Sequence, residues 1–433
     1  MSSNKIRNQI EKYILADGMS PVVDLEKSHG AWLVDKRDGR EYLDLFSMTA
    51  SMPVGYNHPY VIENKDRFIS SALNKPANSD IYSKEMAEFV TTMGRVAQPE
   101  YLPYAFYVEG GALAVENSLK AAFDWKARKN LSLGKDLPKN LVIHLKDCFH
   151  GRSGYTMSLT DSPDPRKVQY FPKFDWPRVS APSVKFPMSE GELKEHIVKE
   201  ETCFAAIDHA FAQYGDDIAA ILIETIQCEG GDRHFRPEFL QGLQARCEKY
   251  DCLFICDEVQ TGFFGSGKPW AFEHYGIAPD IFSFGKKSQQ CGIMAGPRID
   301  EVPNNCFEMS SRINSTWGGN LVDMVRATRI LHTVRDENLC DNAARQGDAW
   351  LQEMTKMAEH FDQVDNVRGK GLIMAFDLPN GEHRNNLLSA MMKNGMVGLG
   401  SGDRTVRFRP HLAITDADVA KALDLTEKSL QSL

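Results

Sequence analysis

The sequence predicts an α/β fold built on a mostly parallel β-sheet, and three observations support this. Short apolar runs, polar or glycine-containing turns and helical stretches follow one another along the chain. Four apolar runs lead directly into residues suited to chemistry, as is typical of ligand sites beyond the carboxyl ends of parallel strands. At 433 residues, the chain also predicts a large domain with smaller satellites.

The predicted strands are short and apolar. They are YAFYVE (104–109), LVIHL (141–145), AAILIE (219–224), CLFICD (252–257) and IFSFG (281–285). Between them, residues 238–250 carry apolar side chains at helical spacing and fit a crossover helix. The stretch 161–200 is rich in proline, phenylalanine and charge, and we expect it to form a long surface excursion.

The two ends of the chain predict a smaller α+β domain. AWLVDKRDGREYLDLFS contains two strand-like runs around the turn KRDGR, and a long helix from about residue 320 leads into the C-terminal part. We expect an N-terminal segment (1–60) that packs on the small domain, a large domain (61–319) and a C-terminal small domain (320–433).

Composition argues against several classes of function. A net charge of −9 disfavours a nucleic-acid-binding surface, which needs a basic field. The polar start, MSSNKIRNQIEKYILADG, does not resemble a signal peptide, and no later window resembles a membrane span. We therefore expect a cytoplasmic protein with no membrane partner. The nine cysteines include no C-x-x-C pair, so we expect neither a metal site nor a disulfide framework.

A glycine turn leads into a helix at FYVEGGALAVENSLKAAFDWKAR (106–128). The free N–H groups and positive dipole at such a helix start suit a phosphate, which Gly111 and Ala112 would hold. A tight turn without a ligand is the alternative. Further on, Phe149 suits the face of a flat heterocycle or else belongs to the core. Arg152 suits a carboxylate or else forms a surface ion pair.

Asp257 and Lys286 complete a set of groups that one cofactor requires. Asp257 follows five apolar residues, so its carboxylate needs a cationic or N–H partner, such as a protonated pyridine nitrogen. Pyridoxal 5′-phosphate requires a Schiff-base lysine, an anion for the ring nitrogen, an anion-binding turn and an aromatic cover. All four kinds of group occur in order at predicted strand ends, which predicts an enzyme that uses this cofactor.

The lysine at this position has a neighbour, Lys287. Adjacent residues that leave a strand point to opposite sides, so only one of the two reaches a cofactor. Gly285 lets the backbone before Lys286 approach a ligand closely. We expect Lys287 to be solvated, and the alternative is that its charge lowers the pKa of its neighbour.

The chain also resembles the class III (ω-)aminotransferases of fold type I along nearly its whole length. The resemblance rests on FICDEVQTGF followed by DIFSFGKK, and within the family it favours the members that act on the ε-amine of L-lysine. The strings that carry it are ALNKPANSDIYS (72–83), VEGGALAVENSLKAAFDWKAR (108–128), FHGRSGYTMSLT (149–160), FPKFDWPR (171–178), EGGDRHFRPEF (229–239), INSTWGGN (313–320) and VRFRP (406–410).

The resemblance implies a role for several residues around the cofactor. Lys286 would form the Schiff base and Asp257 would pair with the pyridine nitrogen. Phe149 would cover the ring, and Gln260 would approach its 3-hydroxyl. Gly111 and Ala112 would bind the phosphate together with Thr316 of the neighbouring subunit, which implies a homodimer with shared active sites.

The resemblance also implies how two substrates share the site. Arg152 would hold the carboxylate of lysine, and Arg407 the second carboxylate of 2-oxoglutarate. Glu229 would pair with Arg407 when lysine binds and turn away for 2-oxoglutarate. The remaining expected substrate contacts are Gln260, Asn314 and Thr49.

The chain departs from the family at Thr225, Cys228, Thr49 and the turn SQQCG (288–292). An alternative activity is transfer of the amine of 4-aminobutyrate or another ω-amino acid, because FDWP, EGGD, DEVQTG, KK and RFRP also occur in 4-aminobutyrate aminotransferases. EGGALAVEN disfavours that alternative. A non-catalytic binding protein is a second alternative, but loss of Lys286 or Asp257 would mark it and both are present.

Overall fold

The protein was analysed as a computed structural model, which describes residues 5–433. The strands are β1 (Trp32–Val34), β2 (Glu41–Asp44), β3 (Tyr104–Val108), β4 (Leu141–Leu145), β5 (Arg178–Val179), β6 (Ile218–Glu224), β7 (Leu253–Asp257), β8 (Ile281–Phe284), β9 (Cys291–Ala295), β10 (Asp365–Lys370), β11 (Ile373–Asp377), β12 (Met396–Val397), β13 (Leu399–Ser401) and β14 (Thr405–Phe408). The helices are α1 (Ile6–Ile10), α2 (Ser47–Ala50), α3 (Pro59–Glu63), α4 (Ile69–Leu73), α5 (Lys84–Val96), α6 (Gly111–Ser132), α7 (Gly154–Leu159), α8 (Glu190–Tyr214), α9 (Pro237–Lys249), α10 (Leu321–Asp336), α11 (Leu339–Ala358), α12 (Gly381–Lys393) and α13 (Asp416–Leu430).

The central sheet of the described residues has the strand order β3-β9-β8-β7-β6-β4-β5. Neighbouring strands from β8 to β5 pair in parallel, whereas β9 runs antiparallel to both β3 and β8. The five predicted strands are confirmed to within one residue as β3, β4, β6, β7 and β8. The expectation of a mostly parallel sheet is therefore correct.

Helices cover this sheet because its strands are apolar throughout. Every residue of β6 and β7 is buried, as expected for parallel strands packed on both faces. The long helix α6 packs on β6, β8 and β9, and the predicted crossover helix α9 packs on β6 and β7. Helix α8 lies against α9. None of the described helices combines the length and apolar composition needed to cross a membrane.

The N-terminal hairpin joins the C-terminal part of the chain through the sheet β1-β2-β12. β1 and β2 are the two runs expected around KRDGR, and β2 pairs in parallel with β12. A second, antiparallel sheet has the order β10-β11-β14-β13, and α11 packs on β10 and β11. These pairings agree with a small domain built from both ends of the chain, although the boundaries at residues 60 and 320 stay a prediction.

The expectation of a surface excursion over residues 161–200 is wrong from about residue 176 onward. Arg178 and Val179 pair with the end of β4 as the edge strand β5, and α8 begins at Glu190. Trp176 is buried in a stack with Tyr155 and Phe174. A two-residue strand is too short to show an alternating pattern, and the proline-rich residues on either side of it favoured the prediction of a loop.

We predict that Gly347→Ala destabilises the fold, because a Cβ at this position of α11 would lie 2.1 Å from the carbonyl oxygen of Gly371. Backbone cannot move aside as a side chain can, so we expect the free energy of unfolding to fall by about 3 kcal/mol in urea denaturation.

Gly191→Ala in α8 is the matched control, because nothing lies within 4 Å of the added Cβ. We expect it to leave the free energy of unfolding unchanged or to raise it by less than about 1 kcal/mol. Equal urea midpoints for the two variants would contradict the close packing of α11.

Candidate active site

Strands β6, β7 and β8 end side by side, and their last residues form the centre of the site. Glu224 is in register with Asp257, and Asp257 with Ser283. β8 ends two residues before Lys286, so this lysine emerges at the same edge of the sheet. The parallel register thus places carboxylates and an amine from distant parts of the sequence next to one another.

A cavity of about 270 Å³ lies at this edge. It brings together most of the predicted site residues, namely Gly111, Ala112, Phe149, Arg152, Asp257, Gln260 and Lys286. His150, Glu224, Ile226 and Val259, for which the sequence suggested no role, also line it.

The Asp257 carboxylate is held firmly in place. It is 5 % exposed, and His150 Nδ1 lies 2.9 Å from Oδ2. The Val259 N–H donates to Oδ1 at 3.0 Å, and the Ser283 hydroxyl donates to the same oxygen at 3.3 Å. A buried carboxylate with several donors keeps one orientation, which suits a group that must face a fixed atom of a ligand.

Lys286 is half-buried and lies in the left-handed backbone region at φ 53°. A lysine rarely adopts this conformation, which costs free energy and is typical of functional positions. Burial lowers the pKa of Lys286, and the nearby Asp257 carboxylate offsets part of that effect. A larger share of the amine is therefore neutral, the form in which it acts as a nucleophile and a base.

Lys287 is not solvated, contrary to the expectation. It is 3 % exposed, and burial lowers its pKa to about 7, with Arg409 adding to the shift. Residues 286–288 form a 3-10 turn, so the alternation of a strand does not apply to the two lysines. Gly265 leaves room for the Lys287 side chain, since a Cβ there would lie 3.3 Å from Cε.

The start of α6 forms the opposite wall of the cavity. Gly110 has φ 100°, and a Cβ on Gly111 would lie 2.8 Å from Val259 Cγ1, so the glycines let the backbone approach closely. The first N–H groups of a helix lack partners within it, which makes this end a suitable phosphate site. The cavity contains the four kinds of group that pyridoxal 5′-phosphate needs, namely the helix start, the Asp257 carboxylate, the Lys286 amine and the Phe149 ring.

Glu229 and Arg407 form the ion pair expected from the sequence. Arg407 Nη2 lies 3.3 Å from Glu229 Oε2. Arg407 is 3 % exposed, and its Nη1 donates to the Cys228 carbonyl at 2.9 Å and to Gln260 Oε1 at 3.5 Å. Gln260 lines the cavity, so Arg407 contacts a residue of the cavity wall, although neither member of the pair lines the cavity itself.

Besides Glu229 and Arg407, three predicted residues do not line the cavity of the single chain, namely Asn314, Thr316 and Thr49. Asn314 and Thr316 are exposed in the segment before α10, where the Thr316 carbonyl accepts a hydrogen bond from Ser79 Oγ at 3.0 Å. Thr49 lies in α2, whose residues all have positive φ and form a strained left-handed turn. The roles of these three residues stay predictions.

Glu224 is a site residue for which the sequence analysis gave no role. It accepts hydrogen bonds from the Phe149 N–H at 3.0 Å and the Cys228 N–H at 3.3 Å. Burial raises the pKa of Glu224 well above its usual range, and the Asp257 carboxylate adds to the shift. An acidic residue at the end of the apolar run AAILIE is the same signal that identified Asp257, so this residue was detectable.

The turn SQQCG connects Lys286 to distant segments. Gln289 Nε2 donates to the Ser51 carbonyl at 2.6 Å. Gln290 Nε2 donates to the Val108 carbonyl at 2.8 Å, and its Oε1 accepts from the Asn320 N–H at 2.8 Å. The two glutamines therefore link the lysine to the end of α2, the end of β3 and the start of α10.

Thr225, another departure from the family, also has a clear contact. Its hydroxyl donates to Glu258 Oε1 at 2.5 Å, next to the site but outside its cavity. Burial raises the pKa of Glu258 to about 7. The threonine thus satisfies a buried carboxyl group.

Comparison with known proteins agrees with this geometry. The model of the family "Aminotransferase class-III" matches residues 14–430. L-lysine-epsilon aminotransferase of Amycolatopsis lactamdurans is 45% identical over 435 residues, which cover 99% of this chain and 96% of that protein. 4-Aminobutyrate aminotransferase of Kluyveromyces lactis is 32% identical and covers 95% of this chain and 90% of its own length.

A solved structure resembles the whole chain. Lysine aminotransferase from M. tuberculosis in the internal aldimine form has a TM-score of 0.97 and 43% sequence identity, with 100% of both chains covered. This similarity confirms the α/β fold of the fold type I transferases. The family match and these identities show that the chain belongs to the class III aminotransferases.

Proposed function

We propose that this chain transfers the ε-amine of L-lysine to 2-oxoglutarate with pyridoxal 5′-phosphate as cofactor. The products are L-glutamate and 2-aminoadipate 6-semialdehyde, which cyclises to piperideine-6-carboxylate. The observation that carries the proposal is the Glu229–Arg407 ion pair beside the Lys286 cavity. The higher identity to lysine-ε aminotransferases than to 4-aminobutyrate aminotransferases favours lysine as the donor.

The residues of this chain supply positions and charges for the reaction. When bound, the cofactor supplies an aldehyde that takes up the amine and a ring that withdraws electrons from the reacting carbon. Asp257 would hold the proton on the ring nitrogen, the start of α6 at Gly111 and Ala112 would hold the phosphate, and Phe149 would cover the ring. Gln260, which contacts Arg407, would bind the 3-hydroxyl.

Lys286 would hold the cofactor through its amine and, once displaced from it, would be the general base that accepts the proton from the terminal carbon of the lysine substrate. The lowered pKa of its amine supports this role, because a base must be neutral to accept the proton.

Two arginines divide the recognition of the substrates. Arg152 lines the cavity and binds the carboxylate of lysine through the fork of its guanidinium. Glu229 neutralises Arg407 while lysine is bound, which removes a cation that would repel the substrate's amino groups. For 2-oxoglutarate the Glu229 side chain turns away, and Arg407 binds the second carboxylate.

We also propose a cytoplasmic homodimer in which Thr316 of one subunit joins the phosphate site of the other. The exposure of Asn314 and Thr316, away from the cavity of their own chain, supports this arrangement. Thr49 would line the substrate channel of the partner subunit in the same dimer.

The roles of the two adjacent lysines can be separated by absorbance. We expect Lys286→Ala to abolish the band of the lysine-bound cofactor at the edge of the visible range, since no other amine replaces it. Lys287→Met keeps the length of the buried side chain, so we expect the band to remain. The reverse pattern would overturn the assignment of Lys286.

The role of Glu229 can be tested in separate half-reactions. We expect Glu229→Ala to lower kcat/KM for lysine by about tenfold, because an unpaired Arg407 then faces the substrate's amino groups. The half-reaction with 2-oxoglutarate should fall less. Unchanged selectivity among amino donors in stopped-flow measurements would contradict the switch.

The identity of the donor can be tested by product analysis. The cyclic imine from lysine reacts with o-aminobenzaldehyde to give a coloured adduct, whereas succinic semialdehyde from 4-aminobutyrate does not. We expect colour with lysine and glutamate formation in equal amounts. Glutamate formed only with 4-aminobutyrate would instead establish the alternative donor.

A further inference from the structure

The Glu229 carboxylate contacts a second cation besides Arg407. Lys167 Nζ donates to Oε1, while Arg407 binds the other oxygen, Oε2. The carboxylate therefore bridges two positive charges on opposite sides. The Lys167 ammonium also lies 6.0 Å from the centre of the Phe149 ring, so it stands at the edge of the predicted cofactor site.

The two cations differ in burial and in the number of their other contacts. Arg407 is nearly fully buried and held by the Cys228 carbonyl, with Asp232 Oδ1 at 3.9 Å from Nη1. The Lys167 side chain is 32 % exposed and extends from the 3-10 turn Pro165–Lys167. Glu229 is 19 % exposed, and its carbonyl accepts a hydrogen bond from the Gly402 N–H at 2.9 Å. With the backbone held, a movement of Glu229 is a rotation of its side chain.

Space for this rotation exists on the Lys167 side. Glu229 and Lys167 line an open groove of about 830 Å³, together with Arg166 and residues 398–403. Arg407 does not border this groove. A carboxylate that leaves Arg407 therefore moves toward solvent and toward Lys167.

We propose that Lys167 is a positioning residue that retains Glu229 while 2-oxoglutarate occupies Arg407. The inference rests on the proposed function and extends its switch. Two carboxylates that share one arginine repel each other, whereas with Lys167 each carboxylate has one cation. Because Glu229 keeps Lys167 as a partner after it leaves Arg407, the free-energy difference between the lysine-bound and 2-oxoglutarate-bound arrangements becomes smaller.

The test compares Lys167→Met with Arg166→Met in the holoenzyme. Arg166 is on the same turn and borders the same groove, but its guanidinium pairs with Asp164. The first readout is the Kd of glutarate, an unreactive dicarboxylate, by isothermal titration calorimetry. The second is the half-saturating concentration of 2-oxoglutarate, and of lysine, in single-turnover half-reactions.

For Lys167→Met, we expect the Kd of glutarate and the half-saturating concentration of 2-oxoglutarate to rise about three- to fivefold, which is the effect of losing a partly exposed ion pair. The half-saturating concentration of the lysine substrate should not rise, because Glu229 remains paired with Arg407 when lysine binds. Arg166→Met should match the wild type, and Lys167→Arg should restore the wild-type Kd of glutarate. Equal effects on lysine and 2-oxoglutarate, or no effect on glutarate, would overturn the proposal.

A double variant separates positioning from direct binding of the substrate. In the Glu229→Ala background, Lys167→Met should cause no further change in the Kd of glutarate, because no carboxylate remains to be retained. A further rise would mean that Lys167 contacts the dicarboxylate itself and would overturn the positioning role. Failure of the proposed function has another signature: the wild type would not react with lysine, whereas the glutarate titrations need no donor.

Discussion

The alignment of strand ends in the central sheet is the constraint on which the site depends. Register places Glu224, Asp257 and Ser283 next to one another, and Lys286 follows three residues after Ser283, just beyond the end of the same strand. Each strand is fully buried, so a slip of one residue would move apolar side chains into the site and polar ones into the core. The same strand register is therefore required for packing of the sheet and for placing the site residues next to one another.

A second constraint is the balance of positive and negative charge around Arg407, which bears on the proposed choice of substrate. Arg407, Arg409 and Lys287 lie close together in the interior, and Asp232 pairs with Arg409 there. Such a cluster is costly unless anions compensate it. Glu229 is the compensating group at the edge of this cluster. In the proposed function, the second carboxylate of 2-oxoglutarate takes its place, so that the choice between the two substrates depends on which carboxylate pairs with Arg407.

Much of the fold and of the site was predictable because their signals are local. Apolar strands that end in Asp257 or in Gly285 and Lys286 mark the sheet edge without any knowledge of the partners. The burial of Lys287 was not predictable, because it depends on room left by Gly265 in another segment. The ion pair of Lys167 with Glu229 joins a surface turn to a loop that is distant in sequence, and no pattern in the sequence predicts a contact of this kind. The two-residue strand β5 was missed for the same reason, since its pairing with β4 defines it.

The links made by Gln289 and Gln290 have a consequence for how the protein folds. Gln289 reaches a carbonyl 238 residues away in sequence, and Gln290 reaches one 182 residues away. Contacts of such separation form only after much of the chain has been ordered, since the entropy of closing long loops opposes them. We therefore expect the turn that carries Lys286 to reach its left-handed backbone only after these segments have docked, so that a chain with a formed central sheet can still lack a competent site. In this way we expect the gain of activity during refolding to follow the docking of the N-terminal segment that carries Ser51.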